Sequence, residues 1–287
     1  MQQFNVKSIL FNAAAGIVVL STLIFMLRSL FVTEVVPPCS ARYPSPMEFT
    51  LDNGNGPMSP VQLVGMIGTT QRGIYRNAKV VRVRDTAGKH ALKVALRPDG
   101  DDARTTGEGN GIAFQWSPAG MAGATAACLS YSVYLPEKFD FGGGGVLPGL
   151  YAGAPESINE SSDGKRGVAQ RLVWRNNGRV NLYAQLPGYE ANGGSYLHQD
   201  GIEIPRGRWV KIEQEIKLND LGKANGLSRL YFDGEMQIEK QWIEWRKNGK
   251  LTLSGVHSEV FYAMPRRDLQ PPKETAIYVT PLQLRWR

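Results

Sequence analysis

The sequence predicts an all-β protein, an antiparallel β-sandwich of jelly-roll type, preceded by one N-terminal transmembrane helix. Short segments with alternating apolar and polar residues follow one another and are separated by turn sequences. The 287 residues include 32 glycines and 17 prolines, which suits strands and turns better than helices. After residue 30 no segment has a convincing helical pattern. We therefore expect sequential strands to pair and to stack in two layers.

The transmembrane helix is predicted over residues 9–27. This run is apolar apart from four positions, and its 19 residues would rise about 28 Å as a helix, close to the thickness of a bilayer core. A cleaved signal peptide is the competing interpretation, but no Ala-x-Ala-like site follows closely. The four interrupting residues are Asn12, Gly16, Ser21 and Thr22.

The chain is thus divided into a short cytoplasmic N-terminus at residues 1–8, the transmembrane helix at 9–27, a linker at 28–46 and one β domain at 47–287. No change of composition interrupts the last part. We predict a single-pass membrane protein with its N-terminus inside and its domain in the periplasm or outside the cell, because long domains are translocated regardless of charge.

The two cysteines, Cys39 and Cys128, are predicted to form a disulfide in an exported domain, although two unrelated thiols remain an alternative. No metal site and no cofactor are predicted. His90, His198 and His257 are far apart in sequence, and none belongs to a metal-binding motif.

The formal net charge is +7, which suits an acidic polymer, a membrane surface or nucleic acid as partner. Nothing in the sequence resembles a nucleic-acid-binding module, so that partner is excluded. An acidic polysaccharide and the membrane remain as expected partners.

The stretch 128–151 begins as an alternating strand that ends at Pro136. Four glycines, 142–145, then lead into Val146 and a Leu-Pro-Gly-Leu sequence. Glycine allows positive φ and close backbone approach, so the run suggests either a tight loop beside a groove or a flexible surface loop.

The stretch 167–187 is predicted to be a hairpin that turns at Asn176-Asn177-Gly178. In its first strand Arg171 and Arg175 share one face, and in its second strand Tyr183 and Gln185 do. We predict that this polar face lines a cleft or meets solvent, while the other face joins the core.

Another predicted strand, 207–218, carries Lys211 and Glu213 on its polar face beside Trp209. Such a face is usually solvated charge with cross-strand pairs. Its functional interpretation is one wall of a sugar-binding groove, with the tryptophan as a stacking platform.

Three separated stretches resemble the family fourteen polysaccharide lyases. They are the strand and Leu-Pro-Gly-Leu motif within 129–150, the Arg171–Tyr183 hairpin, and 207–234 with its Asp233-Gly234 turn. The resemblance covers roughly residues 110–265. It implies a β-jelly roll with an open cleft and β-elimination on uronic-acid polymers such as alginate or glucuronan.

The resemblance also assigns roles to five positions. Elimination needs a group that stabilises the charge developing at the uronate carboxylate, and a base and an acid whose pKa suits the proton transfers. Arg171 and Tyr183 match the family's catalytic arginine and first tyrosine. Val146, Ala169 and Gln185 stand where the family has a lysine, a serine and a second tyrosine.

We predict Arg171 and Tyr183 as catalytic residues, and a set of polar residues around them as substrate-binding. His257 and Glu259 depart from the family's pattern, and we interpret His257 as an ordinary half-buried strand residue. The predicted substrate-binding residues are Arg175, Gln185, Lys211, Glu213, His198 and Tyr151.

Two functions follow. The first is a membrane-anchored lyase-like protein that acts on or binds a uronate-containing polysaccharide. The alternative is a non-catalytic glycan-binding or scaffold protein of a polysaccharide export or envelope complex. The three replaced positions leave open whether the chain is an enzyme. A weaker third hypothesis is a protein-interaction module of an envelope complex.

Overall fold

The computed structural model describes residues 6–31, 36–68, 71–84, 89–96, 111–153, 167–187, 194–198, 200–263 and 274–287. Within the first range it describes side chains at 13–24 and 26. The chain forms two compact units, Met1–Val36 and Pro37–Arg287.

The first unit contains helix α1, Val6–Phe31, which includes the predicted transmembrane segment. In the part of the chain that the structure describes, no helix has the length and apolar character needed to cross a membrane. The side chains of residues 9–12, 25 and 27 lie outside the described residues. The transmembrane prediction is therefore not supported, and the predicted localisation stays a prediction.

The second unit is built from sixteen strands and three short helices among the described residues. The helices are a 3₁₀-helix at Cys39–Ala41, α2 at Pro60–Ile67 and α3 at Ile74–Asn77. The strands are β1 (Met47–Phe49), β2 (Ala78–Arg82), β3 (His90–Leu96), β4 (Ile112–Trp116), β5 (Ala126–Tyr134), β6 (Gly145–Gly153), β7 (Gly167–Trp174), β8 (Arg179–Gln185), β9 (Ser195–Tyr196), β10 (Ile202–Glu203), β11 (Trp209–Lys217), β12 (Gly226–Phe232), β13 (Glu235–Ile243), β14 (Leu253–Tyr262), β15 (Thr275–Val279) and β16 (Leu282–Trp286).

These strands form two antiparallel sheets. The nine-stranded sheet has the order β13-β12-β11-β5-β15-β3-β2, and β16 joins β5 to β1. The seven-stranded sheet has the order β10-β8-β7-β6-β14-β4, with β9 paired to β8. The predicted antiparallel β-sandwich is confirmed, whereas its jelly-roll type stays a prediction.

The hydrophobic core lies between the two sheets. Alternate residues of β5 and β11 point into it, such as Leu129, Val133 and Ile212, and they meet Leu172 and Leu182 from the other sheet. The alternation predicted for these strands is thus the one observed, because every second residue of a strand faces the same layer.

The expectation of no helix after residue 30 is wrong. Helix α2 begins with Pro60 and is preceded by Ser59, whose side chain accepts a hydrogen bond from the Gln62 backbone amide while the Gln62 side chain accepts one from the Ser59 amide. This capping box satisfies amide groups that the first turn leaves unpaired. The Ser-Pro-x-Gln sequence therefore carried a helix signal.

The loop interpretation of the stretch after Gly142 is also wrong. Residues Gly145–Gly153 form β6, a central strand between β7 and β14. Gly145 is required by crowding, because a Cβ there would lie 2.0 Å from a ring carbon of Trp174. Here glycine marks close approach of neighbouring strands.

Cys39 and Cys128 form a disulfide with an S–S distance of 2.04 Å. It joins the 3₁₀-helix to β5, and both cysteines are fully buried. Neighbouring polar contacts extend this attachment, because Ser40 donates to Glu213 and Arg42 pairs with Glu215 on β11. The start of the second unit is thereby fastened to the outer side of the nine-stranded sheet.

Candidate functional site

The positions matched by the resemblance all lie on the outer face of the seven-stranded sheet. Arg171 of β7 is paired with Tyr183 of β8, and Ala169 is paired with Gln185. Val146 lies on the neighbouring strand β6. We call this surface the Arg171 face; it comprises the outward residues of β8, β7, β6 and β14.

A bulge in β6 shapes the centre of this face. Leu147 pairs with Leu172 and Leu150 with Gln170, so that Pro148 and Gly149 together oppose Arg171. A Cβ on Gly149 would lie 1.8 Å from the Gln170 carbonyl oxygen and 2.7 Å from the Arg171 Cα. Only glycine fits this close approach, and the absent side chain leaves Arg171 room to extend across β6.

The Pro148 carbonyl of this bulge points into the space between the sheets. It accepts hydrogen bonds from the Tyr131 hydroxyl at 3.0 Å and from Gln214 Nε2 at 2.6 Å. Gln214 also contacts Gln170 Nε2 at 3.4 Å. These buried side chains satisfy a carbonyl that the bulge withdraws from the strand ladder, and so they hold the bulge in place.

Arg171 reaches over β6 to two residues of β14. Its Nε lies 2.5 Å from Glu259 Oε2, and its Nη2 lies 2.8 Å from His257 Nδ1. On the other side Nη1 donates to Gln185 Oε1 at 2.6 Å. Arg171 has no exposed surface and Glu259 is 1% exposed. The positive charge of Arg171 is therefore compensated by a carboxylate within the protein.

His257 completes a closed network with these two residues. Because a guanidinium only donates, His257 Nδ1 accepts from Arg171, and the ring proton lies on Nε2. His257 Nε2 is 3.3 Å from Glu259 Oε1. The histidine thus bridges the arginine and the carboxylate. It is a strand residue, as the sequence suggested, but it is buried rather than half-buried.

An apolar wall stands beside this network. Val146, Val173 and Phe261 form a buried cluster, and the half-buried Tyr183 packs against it. Burial raises the pKa of Tyr183, nearby Tyr196 adds to the rise, and Arg171 opposes it without reversing it. Tyr183 is therefore protonated at neutral pH. The family's lysine position offers only methyl groups.

A pair of tyrosine rings, Tyr183 and Tyr196, extends from the site towards solvent. The rings of Tyr183 and Tyr196 are 5.3 Å apart in an edge-to-face arrangement, and the Arg175 guanidinium lies 4.3 Å from the centre of the Tyr196 ring. Tyr196 is 38% exposed. The structure thus brings Arg175 to the Arg171 face through Tyr196, a residue that the sequence analysis missed because β9 has only two residues.

Tyr151 and His198 lie at two sides of the Arg171 face. Tyr151 is buried with its ring 6.1 Å from that of His257, and burial raises its pKa while a hydrogen bond with Ser117 lowers it. The Asn181 side chain bonds the backbone of His198, accepting from its amide at 3.1 Å and donating to its carbonyl.

Lys211 and Glu213 are not part of this face. Both lie on β11 in the nine-stranded sheet, where Lys211 Nζ is 2.5 Å from Glu213 Oε1. The structure therefore does not bring them together with Arg171, and their role in substrate binding stays a prediction. The alternation of β11 was interpreted correctly, but alternation does not tell to which sheet a strand belongs.

The residues described in the structure include one group of three possible metal ligands, namely Cys39, Cys128 and Glu213. The two sulfur atoms are bonded to each other, so they offer no thiolate to an ion. This group is a structural attachment rather than a metal centre.

Comparison with known proteins identifies the family of this chain and its fold. Residues 84–282 match the family Polysaccharide lyase 14. A protein named Exolysin from Paramecium bursaria Chlorella virus 1 is 25% identical over 52% of this chain and 27% of its own length. The chain therefore spans only about a quarter of that relative.

Two solved structures share the fold. The marine PL-14 alginate lyase from Aplysia kurodai superposes with a TM-score of 0.69 at 20% identity, over 80% of this chain and 96% of that one. A mutant of the alginate lyase Aly36B in complex with an alginate trisaccharide gives 0.65 at 19% identity, over 85% and 99%. The resemblance inferred from the sequence is confirmed, and the chain belongs to the polysaccharide lyase 14 family.

Proposed function

We propose that the Arg171 face binds an acidic, uronate-containing polysaccharide, and that the chain is a glycan-binding member of its family rather than an efficient β-eliminating enzyme. The family and the alginate lyases that share its fold support the ligand class. The single observation that carries the second half is the apolar cluster of Val146, Val173 and Phe261 at the position of the family's lysine.

Elimination would have to withdraw a proton beside the uronate carboxylate. This step requires a cation that gains interaction as negative charge develops, and a base with a suitable pKa. Arg171 Nε already lies 2.5 Å from Glu259 Oε2, so the positive charge of Arg171 is largely compensated inside the protein. The pKa of Tyr183 is raised, so the hydroxyl is a poor base. Val146 supplies no charge.

Binding makes smaller demands, and the outer part of the face meets them. The partly exposed ring of Tyr196 offers apolar surface to a sugar ring, and the Arg175 guanidinium, which lies over this ring, brings a positive charge close to the sugar. A uronate unit carries both the CH face and the carboxylate that this pair would contact.

The test is a calorimetric titration of the full-length chain with alginate trisaccharide, using a neutral trisaccharide of glucose as control, combined with near-ultraviolet absorbance for unsaturated products. We expect binding of the uronate oligosaccharide, much weaker binding of the neutral one, and no growth of absorbance. Equal binding of both sugars, or no binding, contradicts the proposed ligand class. Rapid formation of unsaturated products contradicts the non-catalytic role.

A second candidate function is an altered lyase, favoured by the buried His257–Glu259 pair beside Arg171. In this case the pair would replace the missing lysine and tyrosine in proton transfer. Incubation of alginate and glucuronan with the full-length chain at high concentration for long times should then give unsaturated products, and His257→Gln should abolish them. Absence of products with both polymers excludes this candidate.

A further inference from the structure

Five residues form one line across the strands of the nine-stranded sheet. Trp209 of β11 is paired with Tyr134 of β5, and Tyr134 is paired with Tyr278 of β15. Tyr278 is paired with Lys93 of β3, and Lys93 is paired with Lys79 of β2. Because neighbouring strands lie about 4.8 Å apart, the line extends over roughly 19 Å. We call these five residues the aromatic–lysine row.

The aromatic–lysine row lies on the outer face of its sheet. Residues next to its members along the strands belong to the hydrophobic core, and successive residues of a strand point to opposite faces. The Arg171 face is the outer face of the other sheet, so the two surfaces lie on opposite sides of the sandwich. The core neighbours include Val80, Val94, Val133, Val210 and Ile277.

The three rings of the row contact one another and are partly open to solvent. The ring centre of Tyr134 is 5.5 Å from that of Trp209 and 5.9 Å from that of Tyr278, and all three residues are half-buried. No described residue forms a hydrogen bond with either tyrosine hydroxyl or with Trp209 Nε1, and these atoms are not among the buried unpaired ones. A ligand can therefore reach apolar ring surface and three polar atoms.

The two lysines add positive charge to one end of the row. Lys79 and Lys93 are both exposed, and neither forms an ion pair with a residue that the structure describes. Like charges directly opposite each other on neighbouring strands repel, so an anion bound between the two ammonium groups would relieve this repulsion. The positions two residues away from each member of the row carry no carboxylate.

The polar groups of the row are mainly hydrogen-bond donors. An indole N–H and an ammonium group only donate, whereas a phenol hydroxyl donates or accepts. Such a row suits a ligand that is rich in acceptor oxygens, carries negative charge and has CH groups to pack on the rings. An acidic polysaccharide combines these features. The distance between strands is also similar to the length of one sugar unit in an extended chain, so successive units can meet successive members of the row.

A single-stranded nucleic acid is the other anionic polymer that aromatic and basic residues bind. Its bases stack on open ring faces. The ring of Tyr134 is tilted by 46° to that of Trp209 and by 74° to that of Tyr278, so the three rings offer no common flat surface. Their contacts therefore favour sugar CH groups and hydroxyls over stacked bases.

We propose that the aromatic–lysine row is a second glycan site, which binds an acidic polysaccharide that runs across the strands of the nine-stranded sheet. Carboxylates bind Lys79 and Lys93, and sugar rings pack on the three aromatic side chains. The proposal does not depend on uronate binding at the Arg171 face, because the two surfaces share no residue.

The indole N–H signal of Trp209 reports on this site directly in NMR spectra. The full-length chain contains six tryptophans, and Trp209→Phe identifies the Trp209 signal by its loss. The chain is titrated with alginate hexasaccharide, with cellohexaose as the neutral control of equal length, and with a hexamer of deoxythymidylate. We expect a saturable shift of the Trp209 signal with alginate hexasaccharide, and binding of the other two ligands that is weaker by about tenfold or more. The signal of Trp242, which is 76% exposed on β13 outside the row, should stay constant.

A lysine double variant tests the role of charge. Lys79→Gln combined with Lys93→Gln leaves the fold intact because both side chains are exposed, and we expect about tenfold weaker binding of alginate hexasaccharide, read from the Trp209 signal. The matched control combines Lys240→Gln with Lys247→Gln, which removes the same charge from exposed positions outside the row. Its affinity should stay within about twofold of that of the unaltered chain.

A tyrosine variant tests the role of the rings. Tyr278→Ala removes the ring between Tyr134 and Lys93, and we expect about fivefold weaker binding of alginate hexasaccharide. Tyr75→Ala is the matched control, because Tyr75 is 59% exposed on α3 outside the row, and it should leave the affinity unchanged. The titration of the unaltered chain remains decisive even where Tyr278→Ala fails to fold.

Several results would overturn the proposal. The Trp209 signal does not respond to alginate hexasaccharide, cellohexaose binds as tightly, or the lysine double variant binds as the unaltered chain does. Equal or tighter binding of the deoxythymidylate hexamer would assign the row to nucleic acid instead. Binding at the Arg171 face is measured separately by its loss in Tyr196→Ala, a variant in which the Trp209 shift should persist. Failure of one site therefore leaves the other standing.

Discussion

At the scale of single residues, Glu259 determines how the Arg171 face responds to an acidic ligand. An accessible arginine without a counterion would be a strong partner for a uronate, but Arg171 is fully buried and its guanidinium already pairs with the Glu259 carboxylate at 2.5 Å. A buried pair of this kind contributes little net attraction for an external anion. The ligand must therefore find its positive charge further out, at Arg175.

Substitution of Glu259 tests this interpretation. Glu259→Gln keeps the size of the side chain but removes its charge and leaves one acceptor oxygen in place of two. We expect alginate trisaccharide to bind about tenfold more tightly, because roughly 1.4 kcal/mol of repulsion is relieved. We also expect a loss of about 3 kcal/mol in the free energy of unfolding, because Arg171 stays buried without its counterion.

Glu239→Gln is the matched control. Glu239 lies on β13 of the other sheet and pairs with the partly exposed Arg229 at 2.6 Å. Its substitution should change the free energy of unfolding by less than about 1 kcal/mol and leave the dissociation constant unchanged. Calorimetric titration and urea unfolding measure both quantities, and unchanged or weaker binding by Glu259→Gln would refute the interpretation.

The second prediction at this scale concerns the exposed ring of the Tyr183–Tyr196 pair. Tyr196→Ala removes the exposed stacking surface beside Arg175, and we expect about tenfold weaker binding of alginate trisaccharide. Tyr196→Phe keeps the ring and should bind within about twofold of the unaltered chain. Because Tyr196 is 38% exposed, neither change should unfold the protein. Equal affinity of all three proteins in calorimetry would exclude Tyr196 as a contact.

At the scale of secondary-structure elements, the bulge of β6 is what allows Arg171 to reach β14. Gly149→Ala should therefore disturb both fold and site. Its Cβ would lie 1.8 Å from the Gln170 carbonyl oxygen. Because this oxygen belongs to the backbone, the clash cannot be relieved by rotation of a flexible side chain. We expect a loss of about 2–4 kcal/mol in the free energy of unfolding, measured in urea.

Gly65→Ala is the control for this substitution. Gly65 lies within α2, and a Cβ there meets nothing within 4 Å. Alanine is favoured over glycine in a helix, so we expect this variant to be as stable as the unaltered chain or more stable by up to about 1 kcal/mol. A Gly149→Ala variant with the same stability as Gly65→Ala would show that β6 can move at the bulge.

Periodicity predicted much of this architecture but not the role of the bulge. The β7–β8 hairpin, its turn at Gly178 and the shared face of Arg171 and Tyr183 follow from local alternation and turn chemistry. The glycine-rich start of β6 was assigned to a loop because close packing between strands depends on residues distant in sequence. Trp174 and Phe261 crowd Gly145, and no local pattern announces them.

The same limit applies to the membership of the sheets. The Lys211–Glu213 face of β11 was expected beside Arg171, yet it lies on the opposite side of the sandwich. His257 and Glu259 were visible only as departures from the family's pattern. Their meaning depends on Arg171, which extends across a strand to reach them. In sequence His257 is 86 positions and Glu259 is 88 positions from Arg171, so these contacts are long-range.

At the scale of the whole molecule, the segment 37–43 is attached to the nine-stranded sheet by a disulfide and by the ion pair of Arg42 with the buried Glu215. The disulfide closes a separation of 89 residues between Cys39 and Cys128. In the chain-entropy view, such a bridge restricts the unfolded chain and contributes about 2–5 kcal/mol. Replacement of both cysteines by serine should lower the free energy of unfolding by this amount, as measured in urea without reductant.

The environment of Glu215 predicts how the stability of the protein depends on pH. Its carboxylate pairs with Arg42 and Arg229 and accepts from the Tyr43 hydroxyl at 2.9 Å. Burial alone would raise the pKa of Glu215, but these partners together hold it below its usual value of 4.5. A group whose pKa is lower when folded stabilises the protein above the unfolded value and loses this contribution as pH falls.

Glu215→Gln should therefore reduce the free energy of unfolding at pH 7 by about 3 kcal/mol, since Arg42 and Arg229 lose a buried partner. The difference from the unaltered chain should shrink as pH falls below 4.5, because both proteins then carry a neutral side chain at this position. Urea unfolding at a series of pH values measures the difference. Glu244→Gln, at a side chain that is 43% exposed, should show no such pH-dependent difference. A difference that stays constant down to pH about 2 would show that Glu215 does not fasten the segment through its charge.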